Sequence, residues 1–269
     1  MPLTALPCRY SAAAALVLLA SCAPPPGPEL PGPTPWQPGK DVIWLPSPPE
    51  TVEKMLDLAG VTREDFVVDL GSGDGRNVIA AARRGARALG VEYDEPLVQL
   101  SRRNARAAGV ADRAEFVQGD MFAADISRAS VLVLFLLPDN LRRLRERFAG
   151  MRAGTRIVSN TYEIPGWQAA RTASAAGGCS AWCTAYLYIV PASVAGRWRL
   201  GDAELVLDQD FESVSGRLAR LALASGQVKG ERIRFLAGLD EYVGRVHGDA
   251  MSGTVSGSRS GPWSARRLP

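Results

Sequence analysis

Histidine is nearly missing from this 269-residue chain: His247 is the single one, far from every motif described below. Triad chemistry and histidine-based metal sites are therefore not expected, because both need imidazole beside its partners. Lysine is almost as scarce, with Lys40, Lys54 and Lys229 alone, so arginine carries the basic charge. Lys+Arg 31 against Asp+Glu 28 leaves only +3, too small an excess to predict a nucleic-acid partner. Long apolar runs are lacking as well. The run at 12–20 is too short to span a bilayer comfortably. What remains is an ordinary globular composition, 46% hydrophobic and 22% charged, with room for one large domain and one small one.

The N-terminus reads as a targeting segment. Arg9 precedes the apolar run, which ends Leu19-Ala20-Ser21-Cys22, the pattern of a bacterial lipobox whose cysteine is lipidated. Residues 1–22 are thus expected to be a lipoprotein-type signal, with Cys22 anchoring a periplasm-facing protein to a membrane of the cell envelope. A start codon placed too early would instead leave a cytoplasmic protein. Residues 23–40 are rich in Pro and Gly and predict an extended tether. Cleavage removes Cys8 and consumes Cys22. The remaining Cys179 and Cys183 can pair if the chain is exported and would be reduced packing residues if it is not.

From 41 the composition changes, and the pattern divides into a domain at 41–192 and a small one at 193–269. A helix is predicted at 51–59, then strands at 65–70, 88–92, 114–118, 130–136 and 155–161, alternating with helices at 76–84, 96–108 and 140–150. That order predicts an α/β, doubly wound, mostly parallel sheet. Beyond 171 it becomes strand–strand, with Gly177-Gly178 as a turn before a strand at 183–190, so the last strand is expected to be antiparallel. In 194–269 six short strands are predicted, at 203–207, 213–218, 232–236, 242–247, 251–255 and 263–266. Separated by glycines, they indicate a small antiparallel β domain, either sheet or barrel.

The chemistry is concentrated in Val67-Val68-Asp69-Leu70-Gly71-Ser72-Gly73-Asp74-Gly75-Arg76. A strand runs through Asp69 into three alternating glycines and then directly into a helix. Glycine permits positive φ and lets backbone approach a ligand closely. Position 76 is Arg, so the dinucleotide fingerprint is incomplete, and the Lys-Ser/Thr of a P-loop is absent. Glu92 ends the second strand, where a carboxylate can accept both hydroxyls of a ribose. Asp120 and Met121 follow the third. The alternating glycines with an acid two residues ahead resemble motif I of class I S-adenosylmethionine-dependent methyltransferases, which have a Rossmann-like fold. The resemblance implies S-adenosyl-L-methionine as cofactor, with Asp69, Gly71, Gly73, Gly75, Glu92, Asp120 and Met121 binding it.

A narrower resemblance rests on Trp44-Leu45-Pro46-Ser47-Pro48 ahead of motif I and on Phe135-Leu136-Leu137-Pro138-Asp139 after the fourth strand. Over about residues 41–167 the chain is similar to the ATP synthase c-subunit lysine N-methyltransferase family and its bacterial relatives. That implies a protein lysine as acceptor and places Ser47 near the cofactor's methionine end. Leu45 and Ser47 stand where the family carries Val and Thr. Trp44, Phe135, Leu136 and Pro138 are candidates for the substrate channel, with Tyr162 and Trp167 beside them; Asp74 and Glu163 are candidate polar contacts. No catalytic residue is assigned, because an in-line displacement on a sulfonium needs alignment above all. The Asn/Asp-Pro-Pro-Tyr/Phe signature for planar amino groups is absent, which argues against adenine, cytosine and glutamine amide as acceptors. Two other readings stay open: a small-molecule methyltransferase on the same fold, and a non-catalytic envelope lipoprotein that keeps the fold as a binding module. Export and catalysis also pull against each other, since the cofactor is made in the cytosol.

Overall fold

The computed structural model of the protein describes residues 45–175 and 179–269. The leader with Cys22, the tether at 23–40, Trp44 and the Gly177-Gly178 turn lie outside the described residues.

The first half alternates as the sequence pattern predicts: α1 (Pro49–Ala59), β1 (Phe66–Leu70), α2 (Arg76–Arg83), β2 (Arg87–Glu92), α3 (Glu95–Ala107), β3 (Ala114–Gln118), β4 (Val131–Leu134), α4 (Pro138–Ala149) and β5 (Arg156–Asn160). A hairpin, β6 (Arg171–Ser174) and β7 (Thr184–Ile189), completes a seven-stranded mixed sheet in the order β3-β2-β1-β4-β5-β7-β6. β1 to β5 are parallel, and β7 returns antiparallel against β5. Alternation along each strand decides what covers each face. Val67 of β1 and Val131 and Val133 of β4 pack under α1, α2 and α3. Their neighbours Val68, Leu70, Leu132 and Leu134 pack on the other face with Leu141, Leu144 and Phe148 of α4. The strands read as continuous apolar runs because both faces are buried.

Asp65 clasps the starts of three strands. Its carboxylate accepts from the Thr62 amide at 2.8 Å, from the Ser130 hydroxyl at 2.7 Å and from the Arg156 guanidinium. The central switch point, where the order reverses between β1 and β4, opens at the opposite, carboxyl edge.

The second half is a closed antiparallel barrel of eight strands, β8 (Gly196–Leu200), β9 (Ala203–Asp210), β10 (Ser213–Leu218), β11 (Leu221–Lys229), β12 (Arg232–Ala237), β13 (Asp240–His247), β14 (Ala250–Ser256) and β15 (Gly261–Arg267). Two of them were not predicted. β8 is short: Arg197-Trp198-Arg199-Leu200 alternates polar and apolar over only four residues. β11 contains Ser225-Gly226, which reads as a turn but is a bulge, with the register shifting between Ala224 and Gln227. The interior is filled by side chains: Phe235 stacks on Tyr242 at 4.8 Å, with Trp263 and Trp198 beside them.

Trp167 joins the two halves. It was a channel candidate, but the structure buries it to 4% exposure between Tyr188 of the sheet and Phe211 of the barrel, at ring distances of 5.2 and 4.8 Å. Ile164 and Trp167 pack in one cluster with Leu141, Leu144 and Phe148 of α4 and with Phe211 of the barrel. Trp167→Ala is expected to lower unfolding free energy by about 3–5 kcal/mol in a urea titration, while leaving cofactor affinity of the folded protein unchanged.

Candidate active site

β1 ends at Leu70, and Gly71, Gly73 and Gly75 follow at φ 79, 55 and 84. Gly75 is the residue before α2, so the turn passes directly into the helix and aims the first helical amides at the sheet edge. A Cβ on Gly75 would lie 2.7 Å from the Phe116 ring and 2.8 Å from the Ser101 Cβ, so α2, α3 and β3 close around a bare backbone. Gly90 in β2 serves the same loop. Its missing side chain leaves room for the Ser72 hydroxyl, which would be 2.5 Å from a Cβ there.

Around this turn, buried polar groups are left incompletely satisfied. Asp69 is 1% exposed, and its carboxylate accepts from Asn77 Nδ2 at 3.1 Å. The Ser72 hydroxyl and Asn77 Oδ1 are buried without a partner. Such orphans are uncommon unless a ligand or water completes them. Burial pushes the Asp69 carboxyl up to about 7, against the pull of the Asn77 bond, and the nearby charges of Glu92 and Asp74 add to the rise. In the unfolded chain the ordinary value is 3.8. Below about pH 4 both states hold the proton; between about 4 and 7 only the folded state does. Folding stability of the cofactor-free protein should therefore fall as pH rises through that window, by up to about 1.4 kcal/mol per pH unit, and level off above it. Asp69→Asn is expected to flatten that slope in urea titrations run from pH 4 to 8.

Glu92 is fixed beside the turn. Its Oε2 accepts from the Gly73 amide at 2.9 Å and its Oε1 from the Asp94 amide at 3.0 Å, so the carboxylate is held at the end of β2 facing the loop. Asp120, after β3, is exposed, and its Oδ1 accepts from the Phe122 amide at 2.8 Å. Met121 is half-buried beside it. Asp74 does not face outward as a free acid: Arg76 binds it through Nε and Nη2 at 2.9 and 2.6 Å.

Ser47 is buried, and two groups seat it over the glycine turn. Asn160 Nδ2 donates to its hydroxyl at 3.0 Å, and Arg76 Nη1 donates to its carbonyl at 2.6 Å. The segment before α1 is thus tied to the start of α2 and the end of β5. The channel candidates separate. Phe135, just past β4, is half-buried, and its ring lies 6.5 Å from that of Tyr162, just past β5. Leu136 is not at this surface: it is 1% exposed in the core beneath Gly71, since alternation past β4 turns it inward. Pro138 is exposed as the first residue of α4, a position its fixed φ suits. Glu163 is exposed, beyond the turn after Tyr162. Sequence reasoning passed over Asn77, Arg76 and Asn160. Asn160 carried a usable signal, a polar residue ending a strand like Glu92, whereas Asn77 and Arg76 read as ordinary helix-start residues.

The family model for the ANTKMT methyltransferase domain matches residues 69–171, from the acid of β1 into β6. A protein-lysine N-methyltransferase from Saccharolobus islandicus is 36% identical over 152 residues, covering 55% of this chain and 94% of that protein. The chain belongs to this methyltransferase family. S-adenosylmethionine is this methyltransferase's cofactor. A crystal structure of an RNA methyltransferase from Salinibacter ruber in complex with S-adenosyl-L-homocysteine shares 44% identity, with a TM-score of 0.52 over 56% of this chain and 96% of that one. The human ATP synthase c-subunit lysine N-methyltransferase is 32% identical over 128 residues, 46% of this chain and 55% of that protein. The methyltransferase thus spans about half the length of such animal relatives.

Proposed function

We propose that this methyltransferase transfers a methyl group to a lysine amine of a protein, at the carboxyl edge between β1 and β4. The observation that carries the site is the cluster of buried, incompletely satisfied polar groups at the glycine turn, with Glu92 fixed beside it. These residues fit S-adenosylmethionine. Glu92 keeps lone pairs for the ribose hydroxyls, and Asp120 and Met121 stand where an adenine would end, one accepting from its amino group and the other covering the ring. Asp69, Gly71, Gly73 and Gly75 form the floor, and Ser47, its hydroxyl accepting from Asn160, retains a proton to donate to the methionine end.

Bound cofactor supplies an activated methyl with a neutral thioether as leaving group, so no covalent enzyme intermediate is needed. The chain's own work is alignment and desolvation. Phe135 and Tyr162 offer flat apolar faces beside the strand ends, and removing water there favours the neutral amine that a lysine must present. A lysine acceptor is supported by the names of the Saccharolobus islandicus and human relatives, whereas the Salinibacter ruber neighbour is an RNA methyltransferase. Incubating the protein with a membrane extract and tritium-labelled methyl donor separates these. Label is expected in protein and, after hydrolysis, in methyllysine; label confined to RNA or to low-mass material would refute the lysine acceptor.

The disulfide between Cys179 and Cys183 supports an oxidising compartment and, with the lipobox at Cys22, a cell-envelope location. Mass spectrometry of the mature N-terminus tests this: an acylated Cys22 is expected, and an unmodified Met1 would overturn it.

A further inference from the structure

The β6–β7 hairpin comes back to the sheet through a small loop closed by the Cys179–Cys183 disulfide, whose Cα atoms are 5.8 Å apart. Trp182 sits inside that loop at φ 57, a left-handed conformation uncommon for a bulky residue. Such a conformation persists only where the surroundings over-determine it. The surroundings here are specific. The Thr51 hydroxyl of α1 donates to the Trp182 carbonyl at 3.0 Å, and the Ala175 amide donates to the Cys183 carbonyl at 2.8 Å. The indole lies 6.1 Å from the Phe135 ring, which in turn stacks on Tyr162 at 6.5 Å.

Because β7 runs antiparallel to β5, its start stands at the carboxyl edge, with Ala185 opposite Asn160. Three half-buried rings from three chain segments therefore meet at the carboxyl ends of β4 and β5 and the start of β7, with β4 next to β1 and its glycine turn. None of the three belongs to the fully buried core. Flat aromatic faces pack against the methylene stem of an alkylamine and attract its ammonium head on first binding, before desolvation favours loss of the proton.

We propose that Trp182 is a specificity-determining wall of the acceptor site, taking with Phe135 and Tyr162 an unbranched alkylamine such as a lysine side chain. The disulfide is the positioning device, so acceptor binding follows the redox state of Cys179 and Cys183. The inference rests on the reading of the carboxyl edge as the methyl-transfer site. A dithiol reductant opens the loop in two exchanges: one of its sulfurs bonds a cysteine sulfur as the Cys–Cys bond breaks, then its second sulfur displaces that cysteine. The reductant leaves as a cyclic disulfide, and its two thiol protons end on Cys179 and Cys183. Among the described residues, the groups at the glycine turn make no hydrogen bond to residues 179–183, so cofactor affinity should be indifferent to the change.

The test loads the full chain with S-adenosylhomocysteine and titrates n-butylammonium, the end of a lysine side chain, by ligand-observed NMR. Oxidised wild type is compared with protein reduced by dithiothreitol, with Trp182→Ala, with Trp182→Phe and with the double variant Cys179→Ser, Cys183→Ser. Butylammonium binding is expected to weaken at least fivefold on reduction, in Trp182→Ala and in the double variant. Trp182→Phe, which keeps a flat ring, should recover most of it. S-adenosylhomocysteine affinity, which also reports folding, should stay within twofold throughout. Absent binding to the oxidised wild type, or equal binding by wild type and Trp182→Ala, would overturn the wall; equal binding before and after reduction would overturn the positioning role. Failure of S-adenosylhomocysteine itself to bind oxidised wild type would strike the cofactor site instead.

Discussion

Glu92→Ala is expected to weaken S-adenosylhomocysteine binding by about a hundredfold, on the order of 3 kcal/mol. Two losses add. The ribose loses a charged acceptor, and charge-assisted bonds are the stronger kind. The glycine turn also loses its tether, because the same carboxylate accepts from the Gly73 amide at 2.9 Å. Glu92→Gln separates the two: with its one amide oxygen accepting from Gly73 the turn keeps its tether, while the charge and the bond from the Asp94 amide are lost, and roughly a tenfold loss is expected. Equilibrium titration with labelled ligand reads both. Equal affinities for wild type and Glu92→Ala would show that the ribose lies elsewhere.

The second large effect is on the scaffold. Gly75→Ala should destabilise the fold by roughly 3 kcal/mol, since the new methyl meets both a ring and a helix Cβ while the backbone stays at φ 84. Gly154→Ala is the control. Gly154 has the same φ of 84, but a Cβ there has nothing within 4 Å, so only the backbone penalty of about 1 kcal/mol applies. Urea denaturation of the two variants isolates the close packing of α2, α3 and β3 around the turn. Similar losses in both would mean that this packing relaxes freely.

The parallel half of the fold was legible because its signals are local and repeated. Val67 to Gly75 carries an apolar strand, a glycine turn and a helix start in one stretch, and Glu92 and Asp120 repeat the strand-end acid. The barrel was less so. Gly216, Gly226, Gly244 and Gly253 look like turn residues, yet all lie within strands, where a Cβ would fall 2.0 to 2.5 Å from a neighbouring carbonyl oxygen. Close approach between twisted strands demands glycine there, and a single strand's sequence does not reveal its neighbour. The aromatic residues failed for the same reason. Trp167 and Trp182 are equally apolar in sequence, but one is buried against the barrel and the other is carried to the carboxyl edge by a disulfide loop. Only the tertiary arrangement tells them apart.

A cavity of about 880 Å³ lies at the amino edge of the sheet, between Asp65, Arg152 and Arg156 on one side and His247, Asp249 and Arg267 of the barrel on the other. A ligand bound there would lie at the opposite edge of the sheet from the glycine turn. A crystal structure of the protein soaked with S-adenosylhomocysteine decides the matter most directly. Density is expected for the ribose against Glu92, the adenine beside Asp120 and Met121, and the sulfur directed toward Phe135 and Tyr162. Density in the amino-edge cavity, or none beside Gly73, would contradict that placement.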